Sequence, residues 1–261
     1  MNAMGNSGTI LWLTGWSMPD AVFDRLRRLL PDFRHISVDY SHAESPEKML
    51  FLTETAAKNV LSSEISSSKR TDRSPLLIGG WSLGGLLALR LAANGYADGL
   101  VLIAATARFT RPKEEMARGW ADAYVRQMMT GITKDRQATE SKFQQLVFTD
   151  AEWESGLGTG FPPIGSWTTP ALIAGLQILR NEELLSRLPA IDCPVLLVHG
   201  TEDKICPYGA ALELAAQLPQ AKLLTIPYCG HVPFLGRESH IAEELRRWWH
   251  EQQDTCNPES I

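Results

Sequence analysis

Two hydrophobic rhythms alternate along the chain. Short β-rich runs at 9–13, 34–38, 76–78, 100–104, 195–198 and 222–226 read as strands. Between them, apolar residues recur every three or four positions. Val22, Phe23, Leu26 and Leu29 share one face of a helix predicted over 19–30. Further helices are expected at 46–61, 83–93, 210–218 and 241–252, and the polar, serine-rich stretch 62–74 reads as a surface loop. Strand–helix alternation implies an α/β fold, a mostly parallel sheet with helices on both faces. The rhythm breaks once. Residues 111–187 carry helical patterns at 114–129, 134–148 and 170–179 and no convincing strand. That segment is predicted to be a helical cap inserted into a core formed by 1–110 and 188–261.

The strongest chemical signal lies where the strand at 76–78 meets the helix at 83–93. Gly80-Trp81-Ser82-Leu83-Gly84 is a G-x-S-x-G turn between a strand and a helix. In that context the serine is presented at a helix N-terminus by a turn so tight that only small residues fit two positions either side of it. A bare G-x-S-x-G is a weak signal; the flanking strand and helix make Ser82 a candidate nucleophile. A serine nucleophile needs a base, and the base needs an orienting acid. Two later strands end in suitable loops, Thr201-Glu202-Asp203 and Cys229-Gly230-His231, so Asp203 and His231 are predicted to complete a triad, with Glu202 the adjacent competitor for the acid. His199 reads as structural; His35, His42, His240 and His250 read as bystanders. The oxyanion hole should draw on the N–H of Leu83 and on that of Trp16, in the loop Thr14-Gly15-Trp16-Ser17-Met18 after the first strand.

Charge and composition narrow the function further. With 30 acidic against 25 basic residues in 261, the net charge of −5 disfavours sequence-independent nucleic-acid binding. No apolar run approaches the roughly 20 residues of a membrane span. Four cysteines without C-x-x-C spacing suggest neither zinc nor a disulfide framework, and no secretory signal is evident, so a cytoplasmic protein is expected. The stretch 108–142 runs against the overall charge: eight basic and five acidic residues give +3, leaving −8 for the remainder. A basic cap on an acidic body suits an acidic protein partner, although a merely solvated helical surface would look the same.

The blocks Gly80-Trp81-Ser82-Leu83-Gly84-Gly85, Thr201-Glu202-Asp203-Lys204-Ile205-Cys206-Pro207 and Cys229-Gly230-His231-Val232-Pro233-Phe234 resemble the three catalytic blocks of α/β-hydrolases. More narrowly, with Ala174-Gly175-Leu176-Gln177-Ile178-Leu179-Arg180, they resemble the biotin-pathway esterases (the BioH type) that demethylate pimeloyl-acyl-carrier-protein methyl ester. The resemblance implies the triad Ser82, Asp203 and His231, a hole from Trp16 and Leu83, and an acyl pocket lined by Trp16, Met18, Trp81 and Phe143. It also implies an acyl ester substrate on an acyl carrier protein, with no metal or organic cofactor. Thr14-Gly15 stands where that family usually has His-Gly, and the leading hairpin is shortened or missing. The alternatives are a same-fold lyase of menaquinone synthesis, a broad-specificity esterase or thioesterase, and a non-enzymatic ligand sensor.

Overall fold

The computed structural model describes residues 7–65, 73–163 and 166–255. Six strands form one parallel sheet: β1 (Gly8–Leu13), β2 (Phe33–Ser37), β3 (Leu76–Trp81), β4 (Gly99–Ile103), β5 (Val195–Gly200) and β6 (Ala221–Ile226). Their order is β2-β1-β3-β4-β5-β6. Every residue of β1, β3, β4 and β5 is buried, whereas the edge strands β2 and β6 are partly exposed. Unbroken apolar runs therefore mark the centre of the sheet and mixed runs its edges.

The helices outside the strand-free segment are α1 (Asp24–Leu29), α2 (Pro46–Ile65), α3 (Leu83–Ala93), then α8 (Tyr208–Gln217) and α9 (Glu238–Thr255). The helix expected over 19–30 is divided: a 3₁₀ turn, Asp20–Phe23, precedes α1. The loop expected at 62–74 begins later than predicted, because α2 continues to Ile65. Residues 66–72 of that stretch lie outside the described residues.

Between β4 and β5 the segment holds α4 (Asp122–Lys134), α5 (Arg136–Val147), α6 (Asp150–Glu154) and α7 (Thr169–Asn181). The helix expected at 114–129 is broken, with a 3₁₀ turn at Lys113–Arg118 and α4 starting only at Asp122. Gly119 is extended, at φ 175°, and the neighbouring Trp120 N–H donates to the Phe109 carbonyl at 2.9 Å. The backbone here pairs with 109–111 and cannot remain helical. Periodicity alone did not show this, because α4 keeps the same apolar phase. The short α6, closed by a Thr149–Glu152 capping box, was missed as well.

The helical segment reaches the loops that follow four strands. Thr168 N–H meets the Ser41 carbonyl, Trp120 Nε1 the Lys204 carbonyl, and Trp16 Nε1 the Leu172 carbonyl, while His231 N–H donates to the Val147 carbonyl. It therefore covers the carboxyl edge of the sheet, where open α/β sheets bind ligands. Among the described residues, the four non-glycine residues with positive φ, namely Ser17, Ser82, Ala104 and Tyr228, lie just beyond strand ends on that edge. Such strain collects where a fold over-determines its backbone.

Candidate active site

Ser82 occupies the turn from β3 into α3 with φ 57° and ψ −117°, a conformation that L-residues avoid. Its N–H donates to the Ile103 carbonyl at 3.0 Å, and its carbonyl accepts from Gly85 at 2.9 Å and Leu86 at 3.2 Å. The flanking glycines are steric requirements. A Cβ on Gly80 would overlap the Gly84 carbonyl, and one on Gly84 would overlap that of Leu13. Ser82 is 5% exposed.

Asp203 and His231 meet directly. His231 Nδ1 lies 2.7 Å from Asp203 Oδ2, with both side chains buried. Asp203 Oδ1 accepts the N–H groups of Ile205 at 2.8 Å and Cys206 at 2.9 Å. Burial opposes its charge, but the facing His231 and the hydrogen bonds from His199 and His231 outweigh that, holding the carboxyl well below the usual carboxylate range. An ionised Asp203 can only accept, so Nδ1 is the donor in this bond and Nε2 is the other ring nitrogen, left to take up a proton. That Nε2 is buried and has no hydrogen-bond partner among the described residues. Trp81, adjacent to Ser82, brings the two loops together: its Nε1 donates to the His231 carbonyl at 2.8 Å and its ring lies 5.6 Å from the imidazole.

Glu202 is exposed and makes no side-chain contact with His231 among the described residues. His199, read as structural, does more than pack. Its Nε2 lies 2.7 Å from the Cys206 carbonyl and 3.4 Å from Asp203 Oδ2, the oxygen that also faces His231, so it braces the acid. Its position four residues before Asp203 at a strand end was the available sequence signal. His35 is instead half-buried on β2. It takes Trp12 Nε1 on Nδ1, its Nε2 faces the Leu30 carbonyl, and burial lowers its pKa.

The loop after β1 is a tight turn, Met18 N–H donating to the Gly15 carbonyl at 3.2 Å with Ser17 at φ 63°. A Cβ on Gly15 would sit 3.0 Å from the Trp81 ring, so glycine allows this loop to lie against the elbow. Leu83 N–H opens α3, where first-turn N–H groups lack intrahelical acceptors. Trp16 and Met18 are each 1% exposed, and the Phe143 ring meets the Trp16 ring edge-on at 4.9 Å. Phe143 also borders a pocket of 590 Å³ between α4, α5 and the loop after β5, whose walls include Met116, Trp120, Tyr124, Met128 and Lys204. None of Ser82, Asp203 and His231 lines that pocket. No group of three or more His, Cys, Asp or Glu side chains with metal-holding geometry occurs among the described residues.

The basic stretch is less cationic at its surface than its sequence suggests. Arg111 is buried on Glu213 and Glu115, Arg118 pairs with Glu213, Arg126 with Asp122, and Arg136 with Glu140. Exposed cations without an ion-pair partner among the described residues include Lys113, Lys134 and Lys142.

The model of the alpha/beta hydrolase family matches residues 10–243. The chain belongs to that family. Among its relatives, the pimeloyl-[acyl-carrier protein] methyl ester esterase of Nitrosomonas europaea is 33% identical over 247 residues, covering 89% of this chain and 92% of that one. The protein of the same name from Xanthomonas oryzae pv. oryzae is 32% identical over 259 residues, covering 95% and 97%. The esterase EaEST from Exiguobacterium antarcticum superposes with a TM-score of 0.73 at 21% identity, covering 94% of this chain and 93% of that one. MenH from S. aureus superposes at 0.72 and 15% identity, covering 97% and 96%. At those identities the solved structures speak for the fold, which esterases share with other enzymes.

Proposed function

We propose that this hydrolase is a serine carboxylesterase that cleaves an acyl methyl ester, with pimeloyl-acyl-carrier-protein methyl ester of biotin synthesis as the natural substrate. The observation that carries the chemistry is the buried His231–Asp203 pair at 2.7 Å, whose Nε2 has no hydrogen-bond partner among the described residues and whose ring lies 5.6 Å from that of Trp81, the neighbour of Ser82. His231 takes the Ser82 proton as the hydroxyl oxygen attacks the ester carbonyl carbon. The N–H groups of Leu83 and Trp16 hold the resulting oxyanion, and methanol leaves with the proton carried by His231. Water, deprotonated by His231, then cleaves the acyl-enzyme and restores Ser82. Catalytic contacts that are loose without substrate and tighten when it binds are ordinary for such sites.

The substrate assignment rests on the relatives' names; the 590 Å³ pocket of methionine, aromatic and lysine walls adjoins the site only through Phe143, whose ring meets that of Trp16. Trp16, Met18, Trp81 and Phe143 form the apolar surroundings of the reacting carbonyl in this reading. The helical segment acts as a cap over the site. A lyase using Ser82 as a base would share the fold, as MenH does.

The test joins labelling to turnover. A fluorophosphonate should modify Ser82, and Ser82→Ala should abolish both labelling and ester hydrolysis, the latter by about 10³-fold or more. A panel of free and carrier-linked acyl methyl esters should be hydrolysed by the parent. Labelling that persists in Ser82→Ala, or failure to hydrolyse any member of the panel, overturns the assignment.

A further inference from the structure

Three consecutive residues of the loop after β1 are each tied to the helical segment. Trp16 Nε1 donates to the Leu172 carbonyl of α7 at 2.8 Å, Ser17 Oγ donates to Glu140 Oε1 of α5, and the Met18 carbonyl accepts Trp167 Nε1 at 3.0 Å. The middle tie is the unusual one. Ser17 is fully buried and Glu140 is 4% exposed, so a carboxylate is taken out of water to reach a single hydroxyl. Burial of a carboxylate is costly unless it is compensated, and compensation comes from within the same helix. Arg136, one turn earlier, donates its Nε to Glu140 Oε2 at 2.7 Å.

The backbone at Ser17 explains what the arrangement achieves. With Met18 N–H on the Gly15 carbonyl and Ser17 at φ 63°, the turn has the φ signs of type II, whose third position favours glycine. A serine there is strained and stays only when its surroundings hold it. Relaxation to the commoner type I turn would rotate the peptide between Trp16 and Ser17, directly beside the Trp16 N–H. We infer that Glu140 is a positioning residue for catalysis: anchored by Arg136, its carboxylate locks Ser17 in the left-handed conformation and so fixes the Trp16 oxyanion donor. This rests on the oxyanion role given to Trp16 above.

The experiment uses the full chain, a small soluble ester, and an alkyl boronic acid that forms a tetrahedral adduct on the serine oxygen and so reports on the hole. Glu140→Ala should lower kcat tenfold or more while KM stays within twofold, and boronate affinity should weaken in parallel with kcat. Glu140→Gln keeps an acceptor for Ser17 Oγ and should recover most of the loss. Ser17→Ala removes the same bond without disturbing the Arg136 pair, so it carries the test if Glu140→Ala fails to fold. The double variant should be no worse than the poorer single one. If folded Glu140→Ala or Ser17→Ala keeps kcat and boronate affinity within twofold of the parent, the inference fails while Ser82 labelling still stands. A fall in kcat matched by a rise in KM, with boronate affinity unchanged, would also overturn it, by showing only a disturbed cap. If the parent itself neither binds the boronate nor is labelled at Ser82, the hydrolase reading fails, and this inference with it.

Discussion

The elbow that carries Ser82 and the two loops that surround it are held by different means. The elbow is fixed from within. Gly80, Gly84 and the backbone of β3 and α3 leave one path for the chain, and the Ser82 N–H and carbonyl bond to groups of the core fold. The loop after β1, which carries the oxyanion donor in the proposed mechanism, and the His231 loop are fixed from outside by the helical segment. Glu140, Trp167 and Leu172 hold the first. The second is held by the Val147 carbonyl on His231 N–H and by Glu152 Oε2 on Gly230 N–H, each bond near 3 Å. Steric fixation by a short motif is intolerant of change, whereas fixation by distant side chains can be weakened one bond at a time.

The largest effect should therefore come from one methyl group in the elbow. In Gly84→Ala the new Cβ overlaps the Leu13 carbonyl, a backbone atom that cannot turn aside. Overpacking of that kind costs about 3 kcal/mol or more, so the midpoint of thermal unfolding should fall by about 5–10 °C and phosphonate labelling of Ser82 should be lost. A folded, fully labelled Gly84→Ala would show that the elbow is less constrained than its geometry implies.

Next comes the acid. Asp203→Asn should leave the fold intact yet reduce kcat by about 10³–10⁴-fold, because the amide favours the wrong His231 tautomer. Glu202→Gln should change kcat less than about twofold, its side chain being exposed. The reverse ranking in steady-state kinetics would reassign the acid. Asp203 also has a pH signature. Its folded pKa lies below the unfolded value of about 3.9, so the stability its charge contributes is complete above that pH and is lost as pH falls toward the folded value. The gap in unfolding free energy between parent and Asp203→Asn should narrow below about pH 4.

A smaller effect is expected at Glu152, which is buried in the capping box of α6 and accepts from Thr149 N–H and Gly230 N–H at 3.0 Å each. Glu152→Ala would leave both donors unpaired, at about 1–3 kcal/mol each. The expected outcome is a kcat about tenfold lower with a midpoint reduced by about 5 °C, and milder losses in Glu152→Gln. Unchanged kcat in Glu152→Ala would mean that the sheet alone holds the His231 loop, erasing the contrast with the elbow.

The same contrast explains what could be read from the sequence. The sheet, the Ser82 turn and the strand-end positions of Asp203 and His231 follow from local patterns: unbroken apolar runs, paired glycines and short loops. The supports do not. Ser17 and Glu140 are 123 residues apart and Gly230 and Glu152 are 78 apart; nothing near Glu140 distinguishes it from the solvated acids of an amphipathic helix, and the Thr149-x-x-Glu152 spacing points to a helix cap but not to Gly230. The break at Gly119–Trp120 escaped for a similar reason, since it depends on pairing with Phe109. The basic character of 108–142 was countable, but which cations remain unpaired depended on Glu213, far along the chain.

The smallest effect should come from charges that belong to neither kind of support. Lys113 and Lys134 are exposed, have no ion-pair partner among the described residues, and lie within one turn of Met116 and Gly131, which border the 590 Å³ pocket. If an acidic carrier docks there, they act on encounter rather than on the bond being cleaved. Reversing both to Glu should lower kcat/KM for a carrier-linked methyl ester about three- to tenfold at low ionic strength. Turnover of a small soluble ester should stay within about twofold, because no bond to the oxyanion or His231 loop is lost. Raising salt above about 0.1 M, where the screening length is near 10 Å, should erase most of the difference. Arg136→Glu offers the control that separates surface charge from support. Its partner is the buried Glu140, so it should impair both substrates alike at any salt concentration. Equal losses on both esters for the lysine pair would assign those residues a structural role. No loss on either would remove the carrier protein from the reading and leave the charge asymmetry as a hydrated surface.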